Sequence, residues 1–221
     1  KEVITMYSSA LSIFSIFNTL VAAPAGIFFP KITQMVHESE DKEKLTDCVI
    51  GPGRFQCIVA LSVISAFALF GKNFIEIWIG AEYINAYYVT LILIVPITIP
   101  LIQNACLCIL DAKLKRLFRS TVLIIMAVFN VISSVIMVNF FGFWGAAIST
   151  SLSVLIGHGL LMNIYYKKVI GLNVLRMFKE IFKGILPCTL AATIICLPIA
   201  ILLHNSFVMF IIKCVIFVVV Y

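Results

Sequence analysis

The residues able to do chemistry in this chain are the few polar side chains inside long apolar runs. His158 sits mid-run between Gly157 and Gly159, and Lys213 lies about two turns into the last run. Asn18, Gln103, Asn104 and Asn130 are the neutral ones. Burying such groups in hydrocarbon is costly unless they are paired or wet, which makes them candidates for lining a polar cavity. His158 has two readings: a protonatable or hydrogen-bonding group facing that cavity, or a neutral imidazole satisfied by a neighbouring helix. Lys213 is either a cavity cation meeting a phosphate or a side chain snorkelling to the interface. Asn18, Gln103, Asn104 and Asn130 serve as helix-to-helix hydrogen-bonders, with cavity lining as the alternative. Lys31, Arg54, Lys113, Arg116 and Arg119 lie in connections between runs and would attract a pyrophosphate headgroup, although membrane topology asks for the same charges.

An enzyme is not indicated. The acids cluster in connections, and His37, His158 and His204 are far apart, with no spacing for a metal. Seven cysteines are scattered through the chain, most of them in apolar runs, where Cys acts as a small hydrophobe. They form neither a paired metal spacing nor a disulfide framework. No Gly-rich phosphate loop is present. The sequence therefore calls for no cofactor and no metal, and an ion or substrate gradient would drive any transport.

The elements that position these residues follow from composition. Of 221 residues, 62% are hydrophobic and 12% charged, about half the charge of a soluble domain. A soluble enzyme, a disordered tail and a fibrous protein are thereby excluded. Seven apolar runs are legible: about 6–29, 55–71, 86–110, 121–141, a fifth from the Gly142-Phe143-Trp144-Gly145 turn to about Tyr166, 184–203 after a charged stretch, and a last one from Phe207. A polar stretch, Lys31 to Asp47, follows the first, and Gly51-Pro52-Gly53-Arg54 precedes the second. Pro96 and Pro100 are expected to bend or break the third, and His204-Asn205-Ser206 to turn the chain into the last. In lipid, runs of this length span as helices, because each backbone group must find its partner internally. The fold class is thus all-α, a polytopic transmembrane bundle of about seven spans forming one domain over 1–221. The chain opens on Lys1 and stops at Tyr221 within an apolar run, and reads as part of a longer membrane protein with both ends truncated.

Basic residues occupy alternate connections: Lys31, Lys42, Lys44 and Arg54; then Lys113, Lys115, Arg116 and Arg119; then Lys167, Lys168, Arg176, Lys179 and Lys183. The other connections hold only Lys72. By the positive-inside rule the basic connections are cytoplasmic, and the net charge of +6 serves topology rather than nucleic acid. Within 167–183, Val174, Leu175, Phe178, Ile181 and Phe182 share one helical face opposite Arg176, Lys179, Glu180 and Lys183. This predicts an amphipathic helix in the headgroup layer, attracted to membrane lipid. The apolar linker between runs two and three is expected to rest in the opposite interface, with Trp78 in an aromatic belt.

Three passages resemble one family. Met6-Tyr7-Ser8-Ser9-Ala10 with Phe29-Pro30-Lys31-Ile32-Thr33 is similar to the eighth helix, and its exit, of flippases in the multidrug/oligosaccharidyl-lipid/polysaccharide exporter superfamily. The stretch Phe70-Gly71-Lys72-Asn73-Phe74-Ile75-Glu76-Ile77-Trp78-Ile79-Gly80-Ala81-Glu82-Tyr83 resembles a connection in the polysaccharide branch. Asn130 followed by Phe141-Gly142-Phe143-Trp144-Gly145-Ala146-Ala147-Ile148-Ser149-Thr150 resembles a passage of the same superfamily, whose Gly-Ala-Ala also occurs in its drug-antiporter branch. The resemblance implies helices 8–14, the C-terminal lobe, of a fourteen-helix two-lobed transporter in the cell membrane. It also implies a polyprenyl-pyrophosphate-linked oligosaccharide as substrate, the N-terminal lobe of the same chain as partner, and possible contact with other polysaccharide-assembly proteins. A drug or cation antiporter of the same superfamily is the alternative. A membrane glycosyltransferase or polymerase fits less well, because the outer connections are short and nearly uncharged.

Overall fold

The computed structural model describes residues 2–38, 41–115, 117–202 and 207–221. The described residues are helical, with no strand among them. In chain order they form α1 (Glu2–Ala22), α2 (Ala25–Glu38), α3 (Lys42–Trp78), α4 (Asn85–Ile102), α5 (Asn104–Ala112) and α6 (Leu117–Phe141). There follow α7 (Phe143–Ile170), α8 (Val174–Phe182), α9 (Ile185–Leu202) and α10 (Phe207–Val220). Among the described residues six helical stretches are long and apolar enough to cross a membrane; the sixth, Val174–Pro198, joins α8 to most of α9. The expected seventh span is α10, whose 14 residues reach about 21 Å at 1.5 Å per residue, short of a ~30 Å hydrocarbon core.

Several expected boundaries move. The first run is broken: Pro24 has no N–H to offer the Leu20 carbonyl, the Ala23 N–H bonds Thr19 O, and α2 begins two residues on. The polar stretch from Lys31 to Asp47 is largely helical, divided between α2 and α3. Gly51-Pro52-Gly53-Arg54 lies inside α3, because bundle contacts override weak helix formers. A Cβ at Gly53 would stand 2.6 Å from Ile181 Cδ1 and 3.3 Å from the Ile102 carbonyl, so glycine here admits two neighbours at once. In the third run the break falls at Gln103, between α4 and α5. Pro96 removes the N–H due to the Ile92 carbonyl, and Ser151 Oγ of α7 donates to that oxygen at 2.6 Å. Ser151→Ala leaves the carbonyl without that donor. It is expected to cost about 1–3 kcal/mol, read as a lower thermal midpoint in detergent.

The three basic connections meet at one end. A single apolar cluster there takes Ile32 and Val36 from α2, Leu45 and Val49 from α3, Ile109 and Leu110 from α5, Tyr166 and Ile170 from α7, and Met177 and Ile181 from α8. At the opposite end Met6, Ala10, Ile75, Ala86, Tyr87 and Ala147 form another cluster. Trp78, half exposed there, stacks on Phe74 with centroids 5.6 Å apart. The Lys72 ammonium lies 5.0 Å from the Tyr88 ring centroid.

The amphipathic segment is shorter than 167–183. Residues up to Ile170 continue α7, Gly171 turns the chain at φ +82, and only Val174–Phe182 is a separate helix. Its inner stripe is Met177, against Cys106 of α5, and Ile181, against Gly53 of α3, while Leu175 is 80% exposed. Arg54 holds it by donating to the Glu180 carbonyl at 2.8 Å, one of the last-turn oxygens that no N–H of α8 reaches. Arg176 pairs with Asp47 at 2.9 Å.

Candidate functional site

α1 differs from the other spans in what it exposes. Met6, Ala10, Phe17 and Val21 are its buried side. Thr5, Ser8, Ser12, Ser15 and Thr19 are all exposed. At 3.6 residues per turn they fall within an arc of about 80° directly opposite the packed side. The exposed side chains of α6, by contrast, are mostly large and apolar, including Ile124, Val128, Val131, Ile132 and Val135. Ser8, Ser12 and Thr19 donate to Thr5 O, Ser8 O and Ser15 O of their own helix, which lowers their cost in an apolar setting. The stripe therefore offers hydroxyl oxygens on a face that none of the described residues covers. Its spacing is readable in the sequence, yet a run scored for hydrophobicity hides it.

A second polar group is internal. Gln103, at the α4/α5 break, donates from Nε2 to Asn163 Oδ1 of α7 at 2.5 Å. Asn163 Nδ2 donates in turn to the carbonyls of Gly159, at 2.7 Å, and His158, at 3.3 Å. These carbonyls belong to Leu155–Met162, a π-helical stretch of α7. Such wide turns leave carbonyls misaligned with their own N–H groups and recur at functional positions. Gly157 permits the approach of α6 here, since a Cβ would meet the Met126 side chain. Arg119 is partly buried within electrostatic reach of His158, Cys108 and Tyr166. Gln103, His158 and Arg119 are thus brought into one neighbourhood, with Asn163, which the sequence does not single out, as the bridge. Asn163→Leu should cost about 1–3 kcal/mol by leaving the Gln103 amide buried without that acceptor. Adding Gln103→Leu should recover most of the loss, as a double-mutant cycle in thermal unfolding would read.

The remaining candidates lie elsewhere. Asn130 belongs to the α6–α7 seam: its Oδ1 accepts from Ser149 at 3.0 Å and Ser134 at 3.2 Å, and its Nδ2 donates to Thr150 at 3.4 Å. Lys213 is buried at 1% exposure and donates from Nζ to the Ala200 carbonyl at 3.3 Å, near the C-terminus of α9. A cation is favoured there by the helix dipole. Asn18 and Asn104 are partly exposed on α1 and α5. Lys31 is exposed at a cleft of about 360 Å³ between α2 and α3, lined also by Phe28, Met35 and Pro52. Arg54 borders another of about 380 Å³ with Ile58, Cys188 and Tyr221. Lys113 is partly exposed in the α5–α6 turn. Arg116 and the His204-Asn205-Ser206 turn lie outside the described residues.

Six membrane-length apolar helices, basic connections gathered at one end and polar side chains bonded between helices define a multi-pass α-helical membrane protein. No protein-family model, curated protein or solved structure matches the chain.

Proposed function

We propose that this chain is one lobe of a two-lobed transporter that carries a polyprenyl-pyrophosphate-linked oligosaccharide from the cytoplasmic to the outer leaflet of the cell membrane. The observation that carries the reading is the hydroxyl stripe of α1, exposed opposite its packed face. A hydroxyl row at the bundle surface suits a wetted wall between two lobes better than it suits lipid. Sugar hydroxyls and phosphate oxygens are the partners such a wall offers, and a glycan cannot cross hydrocarbon unaided because its polar groups would be stripped of water. The basic end, with Lys31 exposed, fits the leaflet where an anionic headgroup is loaded. The resemblance in Phe70–Tyr83 supports the polysaccharide branch. In this reading the second lobe completes the cavity, and no covalent step occurs.

The test is removal of the gene from the parent cell, with lipid-linked oligosaccharide followed by mass spectrometry and surface glycan measured in parallel. Accumulation of the lipid-linked unit with loss of surface glycan is expected. Unchanged surface glycan, with cationic dyes retained in the cell, would instead assign the chain to drug or cation antiport.

A further inference from the structure

We propose that this lobe is not a rigid body: it carries a hinge across its own spans, at the level of Pro24, Gly53 and Gln103. The two broken helices run side by side, α1 packing on α4 and α2 on α5, so that their breaks lie in register. The third helix of the group, α3, has Gly51, Pro52 and Gly53 at the same height, fixed by the contact of Gly53 with the Ile102 carbonyl beside the α4/α5 break. The fourth, α7, is wound as a π-helix over Leu155–Met162 and is tied to the same level by the Gln103–Asn163 bond. Four neighbouring helices thus carry an interruption or a loosened turn in one plane. Prolines and π-turns are where helices bend.

Two separate apolar clusters meet near that plane. The cluster at the basic end draws chiefly on α2, α5, α8, the end of α7 and α3 as far as Cys57. Beyond the plane, Phe17, Val21, Ala60, Ile94 and Leu101 belong to a separate one. Gln56 lies on α3 between Gly53, which touches the first block, and Ala60, which belongs to the second. It is 1% exposed, and among the described residues neither its Oε1 nor its Nε2 has a hydrogen-bond partner. The Oε1 of Gln103 is buried without one too. Buried amides with unmet hydrogen bonds destabilise the arrangement that holds them. A bend that pairs or wets them is favoured, which gives the plane two states rather than a continuous softness. The inference holds whatever the substrate, and it replaces rocking of an inflexible lobe with bending inside it.

Spin-label pairs in a cysteine-free full-length protein in nanodiscs test this. Labels at Ile77 and Lys179 lie on opposite sides of the plane; Lys44 with Lys179, and Ile77 with Phe140, each stay on one side. Two distances are expected for the pair across the plane and one for each pair within a block. Pro24→Ala with Pro100→Ala should collapse the two to one, and Pro52→Ala alone serves should that variant fail to fold. A single distance across the plane, equal broadening within the blocks, or two distances that survive the proline substitutions would each overturn the proposal.

Discussion

Replacing Gly145 by valine is expected to leave no folded protein. A Cβ at this position would stand 2.3 Å from both the carbonyl carbon and oxygen of Met137 and 2.5 Å from the Val138 nitrogen. Nonbonded carbon atoms rest at about 3.5–4.0 Å. The atoms in the way are backbone, so no rotamer change relieves the contact, and α6 must part from α7. Parting them breaks the seam in which Ser149 donates to the Asn130 carbonyl and Asn130 Nδ2 donates to Thr150. It also strands Ser133 and Ser149, whose hydroxyls bond one another. The expected cost exceeds ~3 kcal/mol, since two such bonds at about 1 kcal/mol each add to a clash of 1–3 kcal/mol or more. That is a large part of the 5–15 kcal/mol that typically holds a fold together. Gly26→Val is the control, because a Cβ there meets nothing within 4 Å. Monodisperse yield after detergent extraction reads both: absent for the first variant and near wild type for the second.

The second large effect follows from the proposed transport of a lipid-linked oligosaccharide rather than from folding. Ser8→Leu, Ser12→Leu and Ser15→Leu together place leucines on the exposed side of α1 and disturb none of its packed residues. The thermal midpoint should barely move. Each hydroxyl contact removed from a passing glycan or its bound water is worth about 1 kcal/mol, so three withdraw roughly 3 kcal/mol, or about a hundredfold in rate. Delivery of lipid-linked oligosaccharide to the outer leaflet should fall accordingly in cells carrying the triple variant at normal abundance. Wild-type delivery in that strain would remove the stripe from the transport path. The matched control is Ile124→Ser with Val131→Ser, two exposed positions on α6, which should leave delivery intact.

Much of the architecture is written in hydrophobic periodicity and in Lys and Arg placement, because lipid permits one secondary structure and one gross bias of charge. The Gly142 turn was equally plain: φ there is +58, which glycine adopts without strain. What escaped depends on packing. Gly51-Pro52-Gly53 looks like an interruption, yet the helix runs through it because Ile181 and the Ile102 carbonyl press against Gly53. Pro100 announces a bend, but the break settles three residues later, where Gln103 finds Asn163. Leu175 belongs to the apolar face of its helix by spacing, while packing on α3 and α5 selects Ile181 and Met177 as the buried pair. In the sequence Arg54 looks like a headgroup-attracting cation and Lys213 like a cavity cation. Each is engaged at the C-terminal end of a helix, on the Glu180 and Ala200 carbonyls, a geometry that spacing along the chain does not encode. The α1 stripe is the reverse case: positions 5, 8, 12, 15 and 19 spell it out, but its meaning depends on knowing which side of α1 the bundle leaves open.

The central claim is that this open side of α1 faces water rather than lipid. Single cysteines placed along α1 in a cysteine-free full-length protein, in intact membranes, can be challenged with a charged, membrane-impermeant thiol reagent. The account expects rapid modification at Ser8, Ser12 and Ser15, and protection at Ile4, Ile16 and Leu20, which flank the stripe. Protection at all six positions, with full reactivity restored only after detergent, would place the stripe in lipid and contradict the account.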